Sequence, residues 1–377
     1  MKVTRTQPWL ESLGDWAWPG RAAAAEGLQL PPSWVSAFPP RLEPAGASLP
    51  SSSRVPAQGG SVQRRRLLLA TLLSALAAVC CALAAQVAGG LGGIVSVGLA
   101  GRPAATAVAS IAVEPPLPTL IPVSRDSSGS SIDRASFTSA ALGGAGSLFV
   151  YLPPGYASTT RRYPVIYLLH GRQGHAQAFL EIGIQQALDR LIARRAVPPM
   201  IAVMMQDRIT LDNWKDVGRR HSARYVVEVQ QLIDRMLPTV ATRAGRAIAG
   251  SSMGGFGAMH VALANPYTFS VVESWLGFFN NLDGELHADA PILARFGLHA
   301  FLYGAAADPV VEPAQDPAFA AKLRAAGAQA EGAIYPGGHS LGKTRAHLEA
   351  MMLFAGRSLV AAQRRAAAEA SSRPRHA

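Results

Sequence analysis

Residues 246–258 read Arg246-Ala247-Ile248-Ala249-Gly250-Ser251-Ser252-Met253-Gly254-Gly255-Phe256-Gly257-Ala258. The centre, Gly250-Ser251-Ser252-Met253-Gly254, matches G-x-S-x-G. An apolar strand-like run precedes it and a small-residue helix-like run follows, the setting of a serine on a sharp strand-to-helix turn. The glycines relieve crowding against neighbouring chain, and the helix start points free N–H groups at the site, where a developing oxyanion can use them. Alone, the pentapeptide also describes a glycine-rich turn in a chain rich in Gly, Ala and Ser, so its meaning depends on what surrounds it.

Around it, strand-like and helix-like runs alternate from about Gly146 onward. Strands are expected at Leu148–Leu152, Val165–Leu169, Met200–Met204, Ala247–Gly250, Ser270–Trp275, Ala300–Tyr303 and Gly332–Tyr335. Helical spacing appears in Ile184, Leu188, Leu191 and Ile192, and again in Tyr225, Val229, Leu232, Ile233 and Met236. A last helix is expected near Thr344–Leu359. Short continuous apolar strands between amphipathic helices imply an α/β fold, with a mostly parallel sheet and helices on both faces.

A serine hydroxyl needs a base to take its proton, and the base needs an acid to hold its tautomer. On a sheet of this kind the order along the chain is serine, acid, histidine. His339 lies in Tyr335-Pro336-Gly337-Gly338-His339-Ser340, directly after an expected strand. His260 falls within the helix after the serine, His287 and His299 precede strands, and His347 falls in the last helix. Asp308 follows the strand Ala300–Tyr303, where the acid belongs; Asp283, Asp289, Glu312 and Asp316 are its alternatives. Two backbone N–H donors are needed for the oxyanion. Met253 follows the nucleophile, and Arg172 follows the His170-Gly171 step at the end of Val165–Leu169. His170 is read as a brace for that loop.

The segments Tyr151-Leu152-Pro153-Pro154-Gly155-Tyr156, Tyr163 through Gly171, Arg246 through Gly255 and Tyr335 through His339 resemble the putative-esterase branch of the α/β-hydrolases. That branch includes esterase D (S-formylglutathione hydrolase), feruloyl esterases, enterochelin esterase and actinobacterial mycolyltransferases. The resemblance covers about residues 145–360. It implies an α/β-hydrolase fold, ester hydrolysis through an acyl-enzyme, Ser252 as nucleophile, His339 as base, Asp308 as acid, and Met253 and Arg172 as oxyanion donors. Many relatives carry Leu where Arg172 stands. An acyltransferase of the cell envelope would use the same triad with a sugar or lipid acceptor. A non-catalytic binding module on the same fold is a third reading.

The rest of the 377-residue chain has a different texture. Residues 1–63 are rich in Pro, Ala and Ser without sustained periodicity, which reads as disorder. Arg64-Arg65-Arg66 precedes Leu67 through Gly101, a run without a charged residue. Segment 64–101 is therefore expected to hold a single transmembrane helix, Leu67 to about Val87, with the catalytic domain outside the cytoplasm. A cleaved signal peptide is the alternative. Residues 102–144 read as a linker, 145–361 as the catalytic domain and 362–377 as a disordered tail.

The two cysteines, Cys80 and Cys81, are adjacent within the apolar run, so no disulfide framework or thiolate metal site exists elsewhere. The formal net charge is +11, mostly from scattered Arg, with no basic stripe interleaved with aromatics. That argues against nucleic acid as a partner. The expected partners are an ester substrate and, through the N-terminal helix, a membrane. No metal cluster or phosphate-binding glycine loop is legible, so no cofactor is expected. Arg in place of Lys, with much Ala, Gly and Pro, is a composition typical of a GC-rich bacterial genome.

Overall fold

The computed structural model describes residues 116–207, 214–217 and 220–372. Nine strands form one sheet. In chain order these are β1 (Ile121–Arg125), β2 (Ser131–Ser139), β3 (Gly144–Leu152), β4 (Val165–Leu169), β5 (Ile201–Gln206), β8 (Arg246–Ser251), β9 (Val271–Trp275), β10 (His299–Ala305) and β11 (Gln329–Tyr335). The short β6 (Asp216–Val217) and β7 (Arg220–His221) pair with each other. The sheet order is β1-β2-β3-β5-β4-β8-β9-β10-β11. Strands β5, β4, β8, β9, β10 and β11 run parallel to one another, and β3, β2 and β1 continue the sheet beyond β5 with antiparallel pairs.

The central parallel strands are buried on both faces, as covering helices require, whereas β11 at the sheet edge is mostly half-buried. All five residues of β4 (Val-Ile-Tyr-Leu-Leu) are buried, as are all five of β9. Val165, Tyr167 and Leu169 of β4 join the core on one face. There they meet α3 (Ser222–Met236) through Tyr225, Val229 and Ile233, and α4 (Met253–Ala264) through Met259. On the opposite face, α2 (Ile184–Ala193) packs against α8 (Leu348–Ser372). Helix α2 buries Ile184, Ala187, Leu188 and Leu191, the apolar face that its spacing predicts. The short α1 (Ala178–Glu181) leads into α2. Helices α5 (Asp283–Phe296), α6 (Gln315–Ala325) and α7 (Leu341–Thr344) follow β9, β10 and β11.

Each strand expected from the sequence is present, with ends shifted by a few residues. Two boundaries need correction. Residues 102–144 are not a linker throughout: β1 and β2 lie in 121–139 and extend the sheet. Strand β2, Ser-Ile-Asp-Arg-Ala-Ser-Phe-Thr-Ser, has few bulky residues, so no apolar run announces it. It is held by pairing along its whole length with β3 and by burying Ile132 and Ala135. The expected tail 362–377 is helical as far as Ser372. Alanine sustains that extension, and an Arg365–Glu369 pair at 2.9 Å spans one turn. Helix α5 covers Asp283–Phe296. His287 lies on that helix.

Segments 1–63 and 64–101 lie outside the described residues. Among the described residues no helix is long and apolar enough to cross a membrane.

Candidate active site

Strands β4, β8, β9, β10 and β11 run parallel, so their C-terminal ends lie along one edge of the sheet. Ser252 sits between β8 and α4 with φ 55° and ψ −118°. A side-chain-bearing residue avoids that region unless its surroundings force it. Here the Ser252 N–H donates to Trp275 O at 2.8 Å, tying the turn to the end of β9. The two glycines of the motif allow the close approach. A Cβ on Gly250 would stand 2.3 Å from Gly254 O, and one on Gly254 would stand 2.0 Å from Leu169 O.

His339 reaches this turn from the loop after β11. Its Nε2 is 2.7 Å from Ser252 Oγ and its Nδ1 is 2.7 Å from Asp308 Oδ2. With Nδ1–H donating to the carboxylate, Nε2 is free to accept the serine proton. Asp308 Oδ1 accepts from the N–H groups of Val310 (2.8 Å) and Val311 (3.0 Å). Burial alone raises the Asp308 pKa. The Val311 N–H, the imidazole and the Val310 N–H outweigh that and hold the carboxyl below its ordinary value. The acid is therefore ionised at neutral pH. The two loops are stitched together: Ala306 N–H donates to Tyr335 O and Ala307 N–H to Gly337 O, both at 2.7 Å.

The other acids expected as alternatives lie elsewhere. Asp283 is exposed and pairs with Lys322 at 2.8 Å. Asp289 sits on α5, and Glu312 is exposed on the loop before α6. Asp316 lies in α6, fully buried, with neither carboxyl oxygen hydrogen-bonded. Among the histidines, His260 pairs with Glu285 of α5 at 2.8 Å, and His299 opens β10.

The turn Gly171–Gly174 lies against Ser252. The space beside Gly171 is 3.1 Å from Ser251 O and 3.4 Å from Ser252 Cβ, and Gly174 N–H closes the turn on Gly171 O at 3.0 Å. Arg172 is the second residue of that turn and its side chain is exposed. Met253 begins α4, so its N–H is one of the unpaired donors of the first turn. His170 braces this loop. Its Nδ1 is 2.8 Å from Gly171 O, its Nε2 accepts from Asp207 N–H at 3.3 Å, and its ring packs on Trp214. Burial lowers its pKa, and the two bonds together describe the neutral ring.

Trp214, whose role is not legible in the sequence, is fully buried with φ 59° and donates its indole N–H to His170 O at 3.0 Å. A lone tryptophan in a polar loop was its only visible signal. Two buried carboxyls also went unremarked as buried. Burial, reinforced by Asp308 nearby, pushes Asp316 up to about 8. Burial likewise pushes Glu273 of β9 up to about 8, although the Trp275 indole donates to it at 2.8 Å. Both acids have folded pKa values above their unfolded ones. The unfolded chain therefore sheds these protons first, and stability falls as pH rises from about 4 to about 8. Thermal unfolding is expected to show Tm decreasing between pH 5 and pH 8. Asp316→Asn is expected to flatten that slope, gaining about 3–4 kcal/mol at pH 8 relative to pH 5. An unchanged slope in the variant would refute the assignment.

Among the described residues, no group of three or more His, Cys, Asp or Glu side chains is arranged to hold a metal ion.

Comparison with known proteins comes to the same part of the chain. Residues 139–282 match the family model described as "Putative esterase". Over 157 residues, 38% of this chain, the sequence is 29% identical to an endo-1,4-beta-xylanase/feruloyl esterase of Xylanibacter ruminicola. Over 133 residues, 33% of this chain, it is 32% identical to an esterase of Mycobacterium tuberculosis. The matched stretches span only 21% and 28% of those relatives' lengths. A solved ferulic acid esterase superimposes with a TM-score of 0.54 at 20% identity, covering 61% of this chain and 99% of the other. A fluorophosphonate-binding serine hydrolase of Staphylococcus aureus gives 0.50 at 16% identity, covering 61% and 98%. At these identities the likeness shows a shared fold, the α/β-hydrolase arrangement of a mostly parallel sheet with helices.

Proposed function

We propose that this chain, whose residues 139–282 match the family model described as "Putative esterase", hydrolyses carboxylic esters by covalent catalysis at Ser252. The observation that carries this reading is His339, bonded at 2.7 Å to Ser252 on one ring nitrogen and at 2.7 Å to Asp308 on the other.

The steps follow from that geometry. Ser252 Oγ attacks the ester carbonyl as His339 Nε2 takes its proton. Asp308 holds the Nδ1–H tautomer and stabilises the imidazolium that forms. The carbonyl oxygen becomes an oxyanion, and the N–H groups of Met253 and Arg172 donate to it. The imidazolium then protonates the departing alcohol, leaving an acyl group on Ser252. Water, deprotonated by the same imidazole, attacks the acyl-enzyme, and the acid product leaves with Ser252 restored. The purified chain is expected to turn over short p-nitrophenyl esters and to be labelled by a fluorophosphonate. A folded preparation that does neither would sink the reading.

In the same reading, segment 64–101 anchors the catalytic domain on the outer side of the cytoplasmic membrane. Its support is the run Leu67–Gly101, uncharged and preceded by Arg64-Arg65-Arg66. Protease added to intact cells is expected to digest the catalytic domain. Digestion only after lysis would refute this placement.

A further inference from the structure

Two cations stand near the site. The side chains of Arg172 and Lys343 are both exposed, and neither makes a hydrogen bond or ion pair among the described residues. Some other surface arginines of the domain are engaged: Arg190 and Arg194 hold Glu349, and Arg224 holds Asp216. Arg172 rides on the turn whose first residue, Gly171, lies against Ser252. Lys343 Nζ is 3.8 Å from the space that a side chain on Gly338 would fill, and that space also borders Ala307 O at 3.0 Å. Gly338 precedes His339, and Ala307 precedes Asp308, so the ammonium stands where the acid and base loops meet.

The acids at this end of the sheet offer these cations little. Asp308 is committed to His339, Val310 and Val311, and Asp207 accepts from the Ser222 hydroxyl at 2.8 Å. Asp316 is sealed beneath β10. Among the described residues, Glu312 carries an exposed carboxylate that pairs with neither cation. A bound ester would therefore meet an arginine fork beside the oxyanion turn and a lysine point charge beside the base.

We propose that Arg172 and Lys343 form an anion-recognising rim, so that the preferred esters carry a carboxylate, phosphate or sulfate group close to the scissile bond. This rests on the serine-esterase reading of the same site. A charge-assisted bond to each cation discriminates against the neutral isostere by roughly tenfold.

The test uses the full chain and two matched substrate pairs. One pair places the charge on the acid half, p-nitrophenyl hemiglutarate against p-nitrophenyl butyrate. The other places it on the alcohol half, 3-butyryloxybenzoate against phenyl butyrate. Wild type is expected to favour the charged member of at least one pair in kcat/KM. That preference should fall roughly tenfold in the double variant Arg172→Gln, Lys343→Gln, shrink with added salt, and recover largely in Arg172→Lys. Because each readout is a ratio within one protein, partial misfolding cancels. An equal ratio in wild type and double variant overturns the proposal, as does a wild-type preference for the neutral ester in both pairs. Absence of both turnover and fluorophosphonate labelling overturns the parent reading, and the anion rim with it.

Discussion

Replacing Ser252 with alanine is expected to lower kcat on a p-nitrophenyl ester by at least about 10⁴-fold and to abolish fluorophosphonate labelling. Alanine removes the oxygen bonded to His339 Nε2 but leaves the turn in place, because the backbone at 252 is held by the bond to Trp275 O. KM should change little, since the acyl and alcohol contacts remain. Ser251 supplies the control. It is 3% exposed at the end of β8 and makes no contact with His339. Ser251→Ala should therefore keep its labelling. Loss of activity in Ser251→Ala with retention in Ser252→Ala would reverse the identity of the nucleophile.

Gly254→Ala should be nearly as damaging, by a different route. The added Cβ would stand 2.0 Å from Leu169 O, 2.6 Å from Leu169 C and 2.7 Å from His170 O. All three are backbone atoms, and Leu169 is paired on both sides, with β5 and with β8. No side chain can swing away, so either α4 lifts from the sheet or the oxyanion turn after His170 is displaced. Overpacking of this kind costs more than the 1–3 kcal/mol of a flexible core site, and about 4 kcal/mol or more is expected here. Denaturant unfolding of the variant should show that loss, and any folded fraction should turn over ester at least about 10²-fold more slowly. A stable, active Gly254→Ala enzyme would show that this contact is looser than the geometry states.

The strands nearest the site were legible because their signal is local. Runs such as Val165–Leu169 and Val271–Trp275 are continuously apolar, and only a strand covered on both faces accommodates that. Strand β2 was not legible. Its residues are small and polar, and what makes it a strand is β3 alongside it rather than anything in its own composition. The helical continuation to Ser372 was missed for a related reason, since an Arg/Ala-rich tail reads as solvated chain whether or not its alanines are in a helix.

For the site, the order Ser252, Asp308, His339 could be written down from the chain, as could the need for glycine at 250 and 254. Backbone sterics within a five-residue turn and the direction of successive parallel strands are both encoded over short distances. The choice of Asp308 over Glu312 and Asp316 was not encoded that way. All three follow β10 within a few residues, and only the packed loops decide which carboxylate faces an imidazole 31 residues further on. The brace of Trp214 under His170 spans 44 residues, and the contact from His339 to Ser252 spans 87. The meeting of Arg172 and Lys343 at one rim depends on loops from β4 and β11, which lie on opposite sides of β8, β9 and β10 in the sheet. Local propensity and sterics determined the parts and their order, whereas long-range packing alone decided which side chains share a few ångströms of space.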